Sequence, residues 1–269
     1  MINILNREDS ADGVASAHSP NMRFWSPAFI VREFDKLAEM GVQTVRISDE
    51  MFFLNKNYYG PLLSALVERQ HGFRMWSYSR IDTVRPQYLD LFRKAGMNWL
   101  ALGVEAANQT IRHEVSKGSF AEVNIRQVCR QIRESGLSVI SNYIFGFPDD
   151  TRETMQQTLD LALELNTEMA NMYPCQALPG SPLYWTARQK GWPLPDSYGG
   201  YGFLSYESQP LPTKHLSAAE VLRFRDEAWQ KYFTNPNYLD LVERRFGAEQ
   251  RGNVSAMARI PLRRKLLGD

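Results

Sequence analysis

LSVISNYIFGFPDDTRETMQQTLDLALEL, residues 137–165, decides the fold. Its first part, 137–147, is apolar on both faces, as a strand covered by helices requires. A Gly-Phe-Pro turn follows, and residues 151–165 carry helical patterning. The same rhythm runs outward on both sides. SPAFIVREFDKLAEMG (26–41) opens with a Ser-Pro start signal, places Ile30, Phe34, Leu37 and Met40 at helical spacing, and closes on Gly41. VQTVRIS (42–48) is a short β-branched strand. A helix near 56–70, the strand RMWSYSR (74–80) and a helix near 86–95 come next. The strand NWLALGVE (98–105) leads to helical stretches across 108–115 and 119–135. After 137–165, the strand MANMYPCQA (169–177) precedes a helix near 182–190.

Five strand–helix units in alternation predict a parallel sheet with right-handed crossovers. The count is odd for a closed barrel: eight strands need three more units and six strands need one. The predicted class is therefore α/β, a partial (β/α)6 TIM-like parallel barrel lacking its first strand, with a small C-terminal helical extension. The expected division is an irregular loop over 1–25, the barrel core over 26–192, and a covering loop with helical extension and basic tail over 193–269. Residues 192–212 are rich in Pro and Gly with interspersed aromatics, as a covering loop would be. Ser217 and Glu220 form a capping box for a helix near 217–232, and another helix is expected near 236–246.

Composition narrows the function. Lys+Arg is 31 and Asp+Glu is 30, a balance that gives no electrostatic case for nucleic acid. The tail Arg259 to Lys265 holds four basic residues and is expected to be a frayed, solvated end. No stretch is long and apolar enough to span a membrane, and residues 1–13 do not read as a signal peptide, so a cytoplasmic location is expected. The two cysteines, Cys129 and Cys175, are too few for a disulfide scaffold or a four-thiolate site. Cys129 falls on the apolar stripe of its helix, and Cys175 stands at a strand end. The four histidines, His18, His71, His113 and His215, show no metal-ligand spacing. No Gly-x-Ser-x-Gly elbow or phosphate-cradling loop is present.

In parallel barrels the reactive groups gather where the strands end. The predicted strand ends present Ser48, Asp49 and Glu50; Ser79, Arg80 and Asp82; Gly103, Glu105 and Asn108; Asn142, Tyr143 and Gly146; and Tyr173, Cys175 and Gln176. A carboxylate at Glu105, after an apolar strand and before Ala106 and Ala107, could accept two hydrogen bonds from a sugar diol; it could equally be an acid at a helix N-terminus. Arg80 could clamp a carboxylate, or be taken by Asp49, Asp82 or Glu105. Asp49 and Glu50 are adjacent, hence on opposite strand faces, and make a weak metal site alone. Gly146 would let a ligand approach the backbone, and the helix start at Thr151 would offer N–H groups.

Together these segments resemble the radical S-adenosylmethionine (SAM) superfamily, most closely the branch often fused to a cobalamin-binding domain. The resemblance runs over about residues 22–192. GVQTVRISDEMF is similar to the family's second strand and RMWSYSRID to its third. WLALGVEAANQTIRHEVSKG is similar to the fourth, NYIFGFPDDTRETMQQTLDLALEL to the fifth and ALPGSPLYWTARQKGW to the sixth. The resemblance implies a 4Fe-4S cluster on three cysteines of a Cys-x-x-x-Cys-x-x-Cys loop after the first strand. It implies SAM on the fourth iron, and reductive cleavage to a deoxyadenosyl radical for C–H functionalisation or methyl transfer. The resemblance also implies an electron donor such as flavodoxin or ferredoxin, and the branch it points to often carries cobalamin on a separate domain. By position, Glu105 would hold the ribose hydroxyls. Asp49 or Glu50 would face the amino group of SAM, and Arg80 its carboxylate. Asn142, Phe145 and Gly146 would line the nucleoside, with residues 144–147 against adenine. The substrate, a small molecule or a peptide, has no readable code.

The cysteine loop is not in this sequence. The ligands are expected upstream of Met1, and the chain in this form is expected to be inactive. Two alternatives stand beside this reading: a non-catalytic barrel that binds SAM or a protein partner, and a hydrolase or lyase with a metal on Asp49, Glu50 and Glu105.

Overall fold

The computed structural model describes residues 24–49, 52–115 and 123–269. Glu50 and the Lys117-Gly118 pair lie outside them. One sheet of five parallel strands runs in sequence order: β1 (Thr44–Ile47), β2 (Arg74–Arg80), β3 (Met97–Glu105), β4 (Ser138–Phe145) and β5 (Met169–Pro174). Helices α1 (Pro27–Glu39), α2 (Lys56–Arg69), α3 (Leu89–Lys94), α4 (Gln109–Val115), α5 (Ile125–Glu134), α6 (Arg152–Leu165) and α7 (Pro182–Gln189) alternate with the strands. Each crossover returns the chain to the next position, which curls the sheet into a half-barrel. β1 and β5 are its edges.

The caps follow the sequence. Ser26 accepts from the N–H of Phe29 ahead of Pro27, Thr151 and Thr154 cap α6 reciprocally, and Ser181 accepts from the N–H of Tyr184. Strand parity then divides the two faces. Met75, Leu100, Leu102, Val104, Val139, Tyr143, Phe145, Ala170 and Met172 are buried in one core with Leu62, Leu66, Phe92, Ile132 and Leu159 of the helix layer. The alternate residues, among them Trp76, Tyr78, Arg80, Gly103, Glu105, Asn142, Asn171 and Tyr173, are only partly buried. They line the concave face.

Beyond the barrel, α8 (Ala218–Phe233) lies against β4 and β5. Phe224 meets Phe145 edge-on at 5.3 Å, and the buried Arg225 donates from Nε to the carbonyl of Met172 at 2.7 Å. The helices α9 (Pro236–Phe246) and α10 (Ala248–Ala258) follow. The tail corrects the expectation of a frayed end. Arg264 is fully buried, forks onto Asp226 at 2.8 and 2.9 Å, and donates to the carbonyl of Ser205 at 2.8 Å. Its own N–H is taken by the Asp269 side chain at 2.7 Å, while Tyr206 donates its hydroxyl to the Asp269 carbonyl. The C-terminus thus ties the covering loop to α8. Arg264 alone of the basic run is internal, because an acid and two acceptors surround it.

Candidate functional site

Glu105 ends β3 and has a backbone φ of +63°, a conformation uncommon for a residue with a Cβ. Pairing with β4 slips between Gly103 and Glu105, a bulge that re-aims the terminal side chain. The carboxylate folds back over Gly103, where a Cβ would collide with its Oε1. Gly103 is therefore what makes room for it. Glu105 keeps some accessible surface, but protein atoms crowd it closely, and the lost hydration pushes its carboxyl up to about 7. No donor among the described residues reaches it, so its desolvation is uncompensated by hydrogen bonds within the chain.

Asn142 stands opposite Gly103 in register. It donates to the carbonyl of Leu102 and accepts from the amide of Asn171, both at 3.0 Å, a polar rung across three strands. Tyr173 lies above it. Burial raises its hydroxyl pKa, with nearby Tyr78 and Glu105 adding to the rise. Phe203 of the covering loop packs on the Tyr173 ring at 4.8 Å. Glu105, Asn142 and Tyr173 thus share the concave face near one rim.

The other predicted residues are placed less directly. Arg80 is on the concave face, but it forks onto Asp82 at 2.9 and 2.7 Å, one of the pairings left open by the sequence. Asp49 is exposed past β1, near the Tyr58 hydroxyl of α2, whose pKa is raised by burial and then by this acid. Glu50 lies outside the described residues. Phe145 turns the other way: its ring is fully buried in the helix-side core against Phe224, while Ile144 and not Phe145 shows its side chain to the concave face. Gly146 has φ +87° and a contact neighbour within the chain, Val221 of α8, where a Cβ would sit. The amides of Gly146 and Phe147 both donate to Asp150, at 3.0 and 2.9 Å, and the Thr151 amide donates to Thr154 Oγ1 at 2.9 Å. This turn offers a ligand fewer N–H groups than its sequence suggested, because Asp150, buried and with its pKa raised by that burial, takes two of them.

Among the described residues no three His, Cys, Asp or Glu side chains gather to hold an ion. Cys129, in α5, and Cys175, past β5, are both buried and unpaired by disulfide, and burial pushes each thiol up to about 12. A cleft of about 620 Å³ lined by Gln109, Arg126, Gln157 and Glu164 opens between α4, α5 and α6. It belongs to the outer helix layer, away from the concave face.

Trp76 and Tyr78 of β2, with Arg46 of β1, also line the concave face. The sequence reading passed over them. The strict alternation of RMWSYSR was the available signal, since it puts Trp76, Tyr78 and Arg80 on one side.

No helix of the described residues is long and apolar enough to cross a membrane. Among curated proteins, an uncharacterized methyltransferase, PH0819, of Pyrococcus horikoshii is 22% identical over 219 residues, 80% of this chain and 47% of that one. The hopanoid C-2 methylase of Rhodopseudomonas palustris is 27% identical over 184 residues, 66% of this chain and 35% of that one. The chain thus spans less than half the length of either relative. Among solved structures, the radical SAM methyltransferase TsrM of Kitasatospora setae, with cobalamin and a [4Fe-4S] cluster bound, superposes with a TM-score of 0.56 at 20% identity, over 61% of this chain and 32% of that one. OxsB, a cobalamin-dependent SAM radical enzyme with aqua-cobalamin bound, gives 0.55 at 10% identity, over 86% of this chain and 41% of that one. These two likenesses speak to the fold: a half-barrel of parallel strands. The family profile of the radical SAM superfamily matches residues 13–162, more than half of the sequence, and with that match the chain belongs to the radical SAM superfamily.

Proposed function

We propose that the concave face around Glu105 holds the adenosyl part of SAM, and that this stretch is the SAM-binding portion of an enzyme for methyl transfer or related C–H functionalisation. The observation that carries the reading is Glu105 itself. A carboxylate held at positive φ, crowded by protein and given no donor by the described residues is destabilised as it stands; a ribose diol supplies two donors. Asn142, fixed by Asn171, and Ile144 support the flat side of the nucleoside. Asp49 or Glu50 is the partner proposed for the amino group, and Arg80, steadied by Asp82, for the carboxylate.

Bound SAM supplies the transferable methyl and adenosyl carbons. The chain's own part is to bind and orient. Glu105 in its ionised form accepts from both hydroxyls, and Tyr173 with Phe203 keeps water from that rim. The relatives' names, a methylase and a methyltransferase, favour methyl transfer, and cobalamin on another domain fits that subtype.

The iron–sulfur cluster does not fit the residues present. Two thiols on separate elements, both buried and both protonated, leave the iron without a seat, so this stretch by itself binds the nucleoside and holds no cluster. Anaerobic reconstitution with iron and sulfide, followed by equilibrium dialysis against S-adenosylhomocysteine at pH 8, tests both halves. The expected result is no stoichiometric iron, measurable ligand binding, and about tenfold weaker binding in Glu105→Gln. Equal affinity in wild type and variant would overturn the reading.

A further inference from the structure

The guanidinium of Arg46 is mounted on aromatic rings. Its carbon lies 4.7 Å from the Trp76 ring centroid and 5.3 Å from that of Tyr78, and Nη2 donates to the Tyr78 hydroxyl at 2.8 Å. The two rings meet edge-on at 5.3 Å. Stacking of this kind suits Arg, which is planar and weakly hydrated, and it leaves the edge of the fork with most of its donors outward. No carboxylate among the described residues pairs with it, although Arg is the side chain best shaped for a two-point grip on one. An exposed cation would ordinarily keep its rotamer freedom; here two rings and a hydroxyl hold it in place.

The surroundings extend the platform. Trp76 and Tyr78 present partly accessible rings to the concave face. Across the trough Tyr173 does the same, backed by Phe203. Tyr173 stands on the concave side of β5, two positions on from Asn171, so it lies on the same face as Trp76, Tyr78 and Glu105. Flat aromatic walls favour a flat guest, since stacked and edge-on ring contacts add to the area they bury. A fixed guanidinium at one end favours an acid on that guest.

We propose that Arg46, Trp76, Tyr78 and Tyr173 form the substrate cradle of this site, and that the substrate class is a planar aromatic or conjugated carboxylate whose acid is gripped by Arg46. The proposal rests on the reading of the concave face as the reaction side of the barrel. It does not depend on how tightly this stretch binds SAM.

The test uses the full chain and two fluorescent probes of one shape, pyrene-1-carboxylate and the uncharged 1-pyrenemethanol, titrated by anisotropy. The carboxylate is expected to bind at least about tenfold tighter than the alcohol. Arg46→Gln should remove that preference while leaving the alcohol's affinity in place. Arg46→Lys, which keeps charge without the fork, should recover only part of it. Arg188→Gln, which removes a cation stacked on Trp185 of α7, serves as control and should change nothing. Equal affinity for the two probes, no binding of either, or equal losses in the Arg46 and Arg188 variants would each overturn the proposal. S-adenosylhomocysteine dialysis of the wild type and of Arg46→Gln separates the two readings. Loss of nucleoside binding in wild type with the carboxylate preference intact would sink the SAM assignment and leave the cradle standing.

Discussion

Glu105→Gln is expected to stabilise the folded chain at pH 8 by about 1–2 kcal/mol while weakening its ligand binding. The sign follows from the direction of the shift. Burial raises the carboxyl to about 7, so between pH 4.5 and 7 the folded chain keeps a proton that the unfolded chain has released. Folding stability therefore falls as pH rises through that window and is level above it. Glutamine carries no such charge. Its advantage should be full above pH 7 and vanish near pH 4–5. The whole shift corresponds to about 3 kcal/mol, and partial exposure of the side chain together with an amide that still lacks partners brings the expected gain down. Urea midpoints of the two proteins at pH 8 and pH 5 check it. A residue kept for packing would behave in the opposite way, losing stability on substitution; a gain in stability with a loss of binding is the signature of a site held against the preference of the fold.

Arg264→Ala is expected to cost about 3–5 kcal/mol, the largest single loss proposed here. The guanidinium is fully buried; its removal takes the two-point partner from Asp226 and the donor from the Ser205 carbonyl. Arg225, also buried and paired with Asp226 at 2.7 Å, would be left as the one ion-pair partner of that acid among the described residues, with its own Met172 contact on β5 at risk. Arg264→Lys should lose more than half as much, because an ammonium cannot repeat the fork. Chemical denaturation measures the loss, and limited proteolysis of the tail should show cleavage after Arg263 or Lys265 rising in step with it. A tail that is merely solvated would tolerate the alanine within about 0.5 kcal/mol.

How far the sequence could be read depended on the range of the forces involved. Strands and helices announced themselves through local periodicity, so RMWSYSR and the helix 236–246 match their sequence bounds to the residue. The parallel order followed from alternation alone. Glu105 was legible as a candidate because it is an acid at the end of an apolar strand. Its positive φ was not, since that depends on a bulge against β4. Residues 144–147 were expected to act as a block, whereas a strand shows alternate side chains to each face, and the Phe145 ring goes to the helix-side core. Helix α10 went unseen because AEQRGNVSAMA has Gly252 at its centre and a weak apolar stripe. Arg264 was read as solvated because its partners, Ser205, Asp226 and Asp269, are distributed along the chain. Arg46 escaped for the same reason; its rings lie on the next strand.

Under the proposed function, Glu105 in its ionised form grips a ribose diol. Calorimetric affinity for S-adenosylhomocysteine between pH 6 and pH 8.5 addresses it directly. The wild-type chain should bind about tenfold more tightly at pH 8 than at pH 6, with the rise centred near 7, and Glu105→Gln should give a flat, weaker profile. A flat wild-type profile, or one that the variant reproduces, would contradict it.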